Sequence, residues 1–454
     1  MGKTTNNLLL AGEQAVNSVT DSDTLDGLTR SLIEHTSVQI GEDVEDSEEC
    51  SLGCEYLCTF QNIVKLHHDT CDELGIPRAT VQELLNDLER LLLGIALMKE
   101  ISPRTKDLLV SFGERMSTRI FAKYVNDTLK EPAKQYDAWD IGFVSSDEFT
   151  NARIDYDKSL ANVKEKLTFG ADDTPHMPII TGFLAKGEAT GAITTLGRGG
   201  SDLSATIVGC ALGLKEVQVW KDVDGIMSTD PRRAPNAVTV PFLTFEEATE
   251  LAFFGATVLH PQAMAPARRI DMPVRVKNSY NPPGAGTLIT GSRDMSDVLL
   301  TSIVLKSNVT LVDVMSERKT GFIGFASSVF LTLRELSIST DVVATSETSI
   351  TASLDPAQLW SRELSSEELK EMVETLEEKC QSKVTLLTNK AIVSLIGNVN
   401  RTAEILMTVF TVFHAEGIQV QMISQGASKV NISLVVDNDE ADDIIMRLHR
   451  EFFE

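Results

Sequence analysis

Apolar residues recur at helical spacing through the first quarter of the chain, with Leu84, Leu85, Leu88, Leu91, Leu92 and Ile95 on one stripe. Residues 25–101 are therefore predicted to be mostly helical, with the run Glu42, Asp43, Glu45, Asp46, Glu48 and Glu49 as a solvated face or loop. From residue 177 the period changes. Short apolar runs at 178–184 and 216–220 alternate with a helical segment starting near Asp202. Such alternation predicts an α/β domain, a mostly parallel sheet with helices on its faces. The cluster Asn278-Ser-Tyr-Asn-Pro-Pro-Gly-Ala-Gly286 is turn chemistry, and the first domain is expected to end near Asp294.

The last third repeats itself. Strands at 309–314 and 391–396 each precede an amphipathic helix, at 325–336 and 403–416. Two further strands follow in each copy, Ile338-Ser-Thr-Asp-Val-Val-Ala with 348–354, and Ile418-Gln-Val-Gln-Met-Ile-Ser with 429–434. The unit is βαββ, closed in the second copy by a helix at 439–452.

Composition narrows the function classes. The 41 Lys and Arg against 66 Asp and Glu leave a formal charge of −25, so the surface repels nucleic acid and anionic membrane, and a phosphate ligand needs local cations and backbone amides. No apolar run is long enough to span a bilayer. Six cysteines in 454 residues are no disulfide framework, which favours a reducing compartment. Cys50, Cys54 and Cys58, followed by His67, His68 and Cys71, lack the CxxC knuckle of structural zinc sites. Four-residue spacing is what one buried helix stripe of thiols gives. The chain opens Met1-Gly-Lys-Thr-Thr-Asn-Asn, without the pattern of a signal or transit peptide.

Two loops carry candidate chemistry. Thr194-Thr-Leu-Gly-Arg-Gly-Gly-Ser-Asp202 joins a strand to a helix; its glycines let backbone approach a ligand, and the helix start offers N–H groups to an anion. Arg198 can clamp a carboxylate or phosphate, with Asp202 ordering a nearby cation. The plainer alternative is a turn capped by Ser201 and Asp202. Trp220-Lys-Asp-Val-Asp-Gly-Ile-Met-Ser-Thr-Asp-Pro231 follows a strand, where nucleotides bind in open α/β sheets, yet it reads equally well as a surface loop. Neither GxxxxGK[ST] nor GxGxxG occurs.

These two loops stand in a longer ordered series: Gly-Lys-Thr-Thr-Asn6, Ser-Phe-Gly-Glu-Arg-Met-Ser117, Thr-Gly-Phe-Leu184, the 194–202 loop, Val-Trp-Lys-Asp-Val-Asp-Gly225, Phe-Phe-Gly-Ala-Thr-Val-Leu-His-Pro261 and Thr-Ser-Glu347. Together they resemble the aspartate kinase family over essentially the whole chain, with the plant and algal plastid-type members nearest in pattern. The resemblance implies an amino-acid-kinase domain at 1–294 followed by two ACT domains, 295–385 and 386–454. It implies ATP-dependent phosphorylation of the L-aspartate β-carboxylate, with Mg2+ accompanying ATP.

Residue by residue, the family pattern puts Thr5, Glu114 and Arg198 on aspartate, Glu114 receiving the α-ammonium and Arg198 a carboxylate, and Arg198 and Asp202 are the expected catalytic residues. Lys221, Asp222, Met227, Arg232, Thr257 and Val258 fall where the family contacts ATP. Of these, Arg232 is the natural phosphate ligand by its own chemistry, while Met227 and Thr257 replace an aromatic and a lysine of other branches. Gly324, Phe325, Ala326, Ser339, Asp341, Ser346 and Glu347 match the family's lysine-binding positions. Asp341 aligns with Gln421 of the second copy, so only the first offers a carboxylate to an amino group. S-adenosylmethionine as a second effector, a homodimer through the ACT modules and a chloroplast location, otherwise cytoplasmic, are further implications. The family's opening strand, Lys-Phe-Gly-Gly-[Ser/Thr]-Ser, has no counterpart here, so the chain as given is expected to bind effector yet transfer phosphate poorly. The rival functions are another amino-acid kinase, such as one for glutamate, and a short form that acts only as an ACT sensor.

Overall fold

A computed structural model describes residues 2–17, 55–169, 174–256, 259–317, 324–355 and 365–454. It comprises two units, Met1–Lys215 with Ala265–Ile270, and Glu216–Met264 with Asp271–Glu454.

The first unit begins with helices α1 (Gly2–Asn17), α2 (Glu55–Glu73), α3 (Ala79–Met98) and α4 (Pro103–Asp127). The leucine stripe does what its spacing predicts: Leu84, Leu85, Leu88, Leu92 and Ile95 are buried and meet Leu8, Ile63, Leu109 and Met116 in one helical core. Helix α3 ends in a left-handed Lys99, and Ser102 caps α4 by accepting from Thr105 N (3.2 Å), with Pro103 at its first position. Cys71 is a buried thiol in this core, and His67 Nδ1 lies 2.7 Å from Ile63 O. Cys58 corrects the thiol expectation, being half-buried and disulfide-bonded. Cys50, Cys54 and the acidic run 42–49 lie outside the described residues.

Short strands follow. β1 (Ala133–Tyr136) pairs in parallel with β3 (Met177–Ile180); β2 (Val144–Ser145) runs parallel to β4 (Leu184–Gly187), itself antiparallel to β5 (Ile193–Thr195). Helix α5 (Tyr156–Leu167) precedes β3, and α6 (Gly200–Leu212) follows β5. The single strand expected at 178–184 is split, because the chain turns through Thr181, Gly182 and a left-handed Phe183 (φ 47°).

The second unit starts with a four-stranded sheet ordered β6-β8-β9-β7, from β6 (Val217–Lys221), β7 (Phe242–Thr244), β8 (Val274–Asn278) and β9 (Thr287–Thr290). β6 with β8 and β7 with β9 are parallel, β8 with β9 antiparallel. Helices α7 (Phe245–Phe253) and α8 (Pro261–Arg269) come between β7 and β8 in the chain.

The repeat then builds a six-stranded antiparallel sheet, β11-β12-β10-β13-β15-β14, from β10 (Leu300–Ser316), β11 (Ser339–Thr345), β12 (Ser349–Asp355), β13 (Ser382–Gly397), β14 (Met422–Ser424) and β15 (Asn431–Asp437). Its helices are α9 (Phe325–Glu335), α10 (Ser366–Cys380), α11 (Thr402–Glu416) and α12 (Ala441–Phe453). Both copies are closed by a helix. The first, α10, carries a capping box in which Ser365 Oγ accepts from Glu368 N and Glu368 accepts from Ser365 N, the signal the repeat alignment passed over. Strand β10 serves two cores: Val312 and Val314 pack with α9 and α10, whereas Leu300 and Ile303 pack with Val409, Phe413 and Ile444 of the second module. Its pairing with β13 shifts register around a left-handed Asn308 (φ 57°), where one core gives way to the other.

Leu88 is 0% exposed and Leu97, on the same helix, is 51% exposed. Leu88→Ala is expected to cost about 2–5 kcal/mol and Leu97→Ala within about 0.5 kcal/mol, read from urea unfolding of each variant.

Candidate active site

In the first unit, helix α4 presents two acids seven residues apart, hence on one face. Asp107 is buried and accepts three hydrogen bonds, from Thr150 N (2.8 Å), Thr195 N (3.0 Å) and Thr195 Oγ1 (2.8 Å). Burial nevertheless holds its carboxyl above the usual range. It fixes the end of β5, from which the glycine-rich loop departs. Thr194 Oγ1 is anchored on Ser145 Oγ (2.6 Å), and Ala152 N donates to Thr195 O (2.8 Å).

Glu114 is half-buried, and its Oε1 accepts from Gly182 N (2.7 Å). Desolvation raises its pKa and the Gly182 bond opposes that. A Cβ at Gly182 would lie 2.9 Å from Ser201 Oγ and 3.1 Å from Glu114 Oε1, so glycine there lets Glu114 and the first turn of α6 close on the 181–183 turn. A Cβ at Gly200 would likewise meet Phe183 Cβ at 2.7 Å. Ser204 Oγ completes the junction by accepting from Phe183 N (3.1 Å). Gly197 and Gly199 adopt left-handed backbone (φ 69° and 73°), which presents the intervening Arg198 to solvent. Asp202 is half-buried in the first turn of α6. Thr5 is half-buried on α1, whose Thr4 methyl lies 3.3 Å from the Cβ position of Gly113, the neighbour of Glu114. Glu114, Ser201 and the 181–183 turn are thus brought together, with Arg198 three residues upstream on the same loop.

In the second unit, Lys221 ends β6 and Asp222 is exposed. Lys221 O accepts from Ser279 N (2.8 Å) and Oγ (2.9 Å), and Asp224 accepts from Asn278 (2.9 Å) and Asn281 (3.1 Å), so the turn cluster at 278–286 braces this loop. Arg232 is 85% exposed and forked onto Asp230, its Nη2 at 2.7 Å from Oδ2. Met227 is half-buried, its carbonyl accepting from Ser302 Oγ (3.0 Å). Thr257 and Val258 lie outside the described residues. No group of three or more His, Cys, Asp or Glu among the described residues could hold a metal ion.

This architecture has close relatives. Residues 14–278 match the amino acid kinase family and residues 393–452 an ACT domain. The chain is 52% identical to aspartokinase 1, chloroplastic, of Arabidopsis thaliana over 454 residues, all of this chain and 74% of the relative. It is 30% identical to the aspartokinase of Saccharomyces cerevisiae, over 86% of this chain and 79% of that one. The structure of E. coli aspartokinase III in complex with aspartate and ADP matches 89% of this chain and 88% of its own with a TM-score of 0.73 at 31% identity. The chain belongs to the aspartokinase family.

In this aspartokinase the residues expected at an effector site lie in the first repeat. Gly324 caps α9 with left-handed backbone (φ 95°), Phe325 is buried in the module core, and Ala326 is exposed. Ser339 and Asp341 sit on β11, which is paired with β12 at one end of the strand order of the six-stranded sheet. Ser346 shapes the β11–β12 turn by accepting from Thr348 N (3.3 Å) and Ser349 N (3.1 Å), with Glu347 exposed at its tip. Asp341 is paired with Lys306. No described helix is long and apolar enough to cross a membrane.

Sequence reasoning passed over Asp107, Gly182 and Ser201 as functional positions. An aspartate in the first turns of a helix reads as an ordinary dipole-matched acid, and only the fold shows which amides it faces. An amide in its place would point its NH2 group at one of three donors. Asp107→Asn is accordingly expected to lower stability by about 1–3 kcal/mol and to raise the KM for aspartate more than that for ATP, measured by urea unfolding and steady-state kinetics.

Proposed function

We propose that this aspartokinase holds L-aspartate through Thr5, Glu114 and Arg198, holds MgATP through Lys221, Asp222, Met227, Arg232, Thr257 and Val258, and releases 4-phospho-L-aspartate and ADP. The observation that carries the reading is Glu114, a half-buried acid locked on Gly182 N beside the first turn of α6, with exposed Arg198 on the loop leading into that helix. An amino acid needs opposite charges for its two ends, and this junction supplies both.

The β-carboxylate is already a nucleophile, so no general base is required. Glu114 fixes the α-ammonium and Arg198 a carboxylate, which orients the attacking oxygen. Attack forms the new carboxyl O–P bond as the bond to the ADP oxygen breaks, and the side chains contribute positioning and charge neutralisation. Mg2+ arrives on the nucleotide as part of the substrate. For Arg232 to reach phosphate, nucleotide oxygens replace Asp230 as its partner.

Two ACT-type modules behind the kinase domain serve as the sensor, with lysine as effector at Ser339, Asp341, Ser346, Glu347 and the 324–326 backbone. A chloroplast location accords with the plastid relatives, and assembly as a homodimer through these modules belongs to the same reading.

Aspartate-dependent ADP release in a coupled assay tests the reaction, with L-glutamate as the control substrate; turnover with glutamate at the same rate would replace this reading. Arg198→Ala is expected to lower kcat/KM for aspartate by about 10²-fold or more with the melting temperature unchanged, since Arg198 is exposed. Glu114 must be ionised to pair with the ammonium, and burial raises its pKa. Aspartate affinity should therefore fall on acidification at a pH above the ordinary glutamate range. In Glu114→Gln the KM for aspartate is expected to be raised at every pH, with that acid step gone.

A further inference from the structure

Asp341 already has a cationic partner. Lys306 Nζ donates to its carboxylate, and both side chains are mostly withdrawn from water, 25% and 21% exposed. The two residues are not on neighbouring strands: Lys306 is on β10 and Asp341 on β11, with β12 between them in the sheet. β12 pairs with β10 only over Thr310–Met315, so Lys306 lies on the stretch of β10 before that ladder begins, and its side chain joins Asp341 across 35 residues of chain. The group it brings is a primary alkylammonium, the functional group by which a basic amino acid would be recognised there.

We infer that Lys306 is a built-in competitor for the amino-group subsite of the effector site, so that an effector binds only by displacing it from Asp341. This rests on the reading that Asp341 receives the effector's amino group. Two like charges cannot share one half-buried carboxylate without loss, so the site is open to ligand only in the fraction of molecules whose ion pair is broken, and the apparent affinity is reduced by that fraction. Lys306 precedes the register shift of β10, and three and four residues upstream Ile303 N and Ser302 Oγ hold the carbonyls of Ser228 and Met227, at 2.7 and 2.9–3.0 Å. Lys306 thus shares a strand with the groups that hold those two carbonyls, while the β13 ladder keeps the strand itself in place.

Calorimetric titration of L-lysine into the full chain tests this, using wild type, Lys306→Met, Lys306→Gln, Lys306→Arg and Asp341→Asn, each checked by thermal melting. Lys306→Met, or Lys306→Gln should the first not fold, is expected to bind lysine about fivefold more tightly, the factor expected from losing one partly buried ion pair. Lys306→Arg keeps the competitor and should stay within about twofold of wild type, while Asp341→Asn should bind at least tenfold more weakly. If Asp341→Asn weakens binding but loss of the Lys306 charge leaves it unchanged or weaker, the site stands and the competitor is overturned. If lysine does not bind wild type, or binds Asp341→Asn as tightly, the effector-site reading fails and the inference with it.

Discussion

In the 222–233 loop of the second unit two successive carbonyls, Met227 O and Ser228 O, take their donors from outside the loop, and that constraint organises what surrounds it. Buried carbonyls must find donors. Met227 O and Ser228 O find theirs on the sensor's strand β10, in Ser302 Oγ and Ile303 N. Ser228 Oγ is itself buried, accepts from Val238 N (2.9 Å) and lies 2.9 Å from His449 Nε2 on the last helix of the second module. Burial pushes the His449 pKa down despite Glu454 at 3.8 Å, which favours a neutral ring. A few residues on, Arg233 pairs with Asp442 and reaches Ser307 Oγ (3.2 Å). Removing the sensor would leave the 227–233 segment with unpaired polar groups.

The same wiring recurs where charge is buried outright. Glu247 is 0% exposed; Arg293 meets it at 2.5 Å and Thr301 Oγ1 donates to it at 2.7 Å. A lone buried carboxylate would be strongly destabilising, and a paired, fully hydrogen-bonded one is tolerable. Thr301 is on β10, one residue before Ser302. Kinase segment and sensor within this unit are joined by desolvated polar contacts, each of them costly to leave unmade.

In the first unit the two acids of α4 show how position, rather than residue type, divides labour. Both are raised in pKa by burial. Asp107 has three donors and is spent on the fold, while Glu114 has Gly182 N on one oxygen and retains acceptor capacity for an ammonium. The helical stripe, the α/β alternation, the glycine-rich loop and the repeat were legible because each is periodic or locally encoded. Asp107 was not, because its donors lie 43 and 88 residues away. The closing helix α10 was hidden by comparing two copies when its own Ser365–Glu368 box announced it. The division of β10 was illegible for another reason: 300–306 and 309–316 both read as plain strand, and which core each half faces depends on partners as distant as Ile444.

That division is what makes the sensor more than an appendage. A strand confined to one module could report a ligand only to its own core. β10 instead carries Thr301, Ser302 and Ile303 on the kinase side, Lys306 on the acid of the first module, and Val312 and Val314 in that module's core. Its pairing with β13 is irregular only around these junctions, at 300–302 and 306–311, so the rest of the ladder is held rigid by regular antiparallel bonds. Lys306 therefore lies on the same strand as Ile303 and Ser302, three and four residues from the groups that hold the carbonyls of Met227 and Ser228, so one continuous strand touches both the first module's acid and the 222–233 loop.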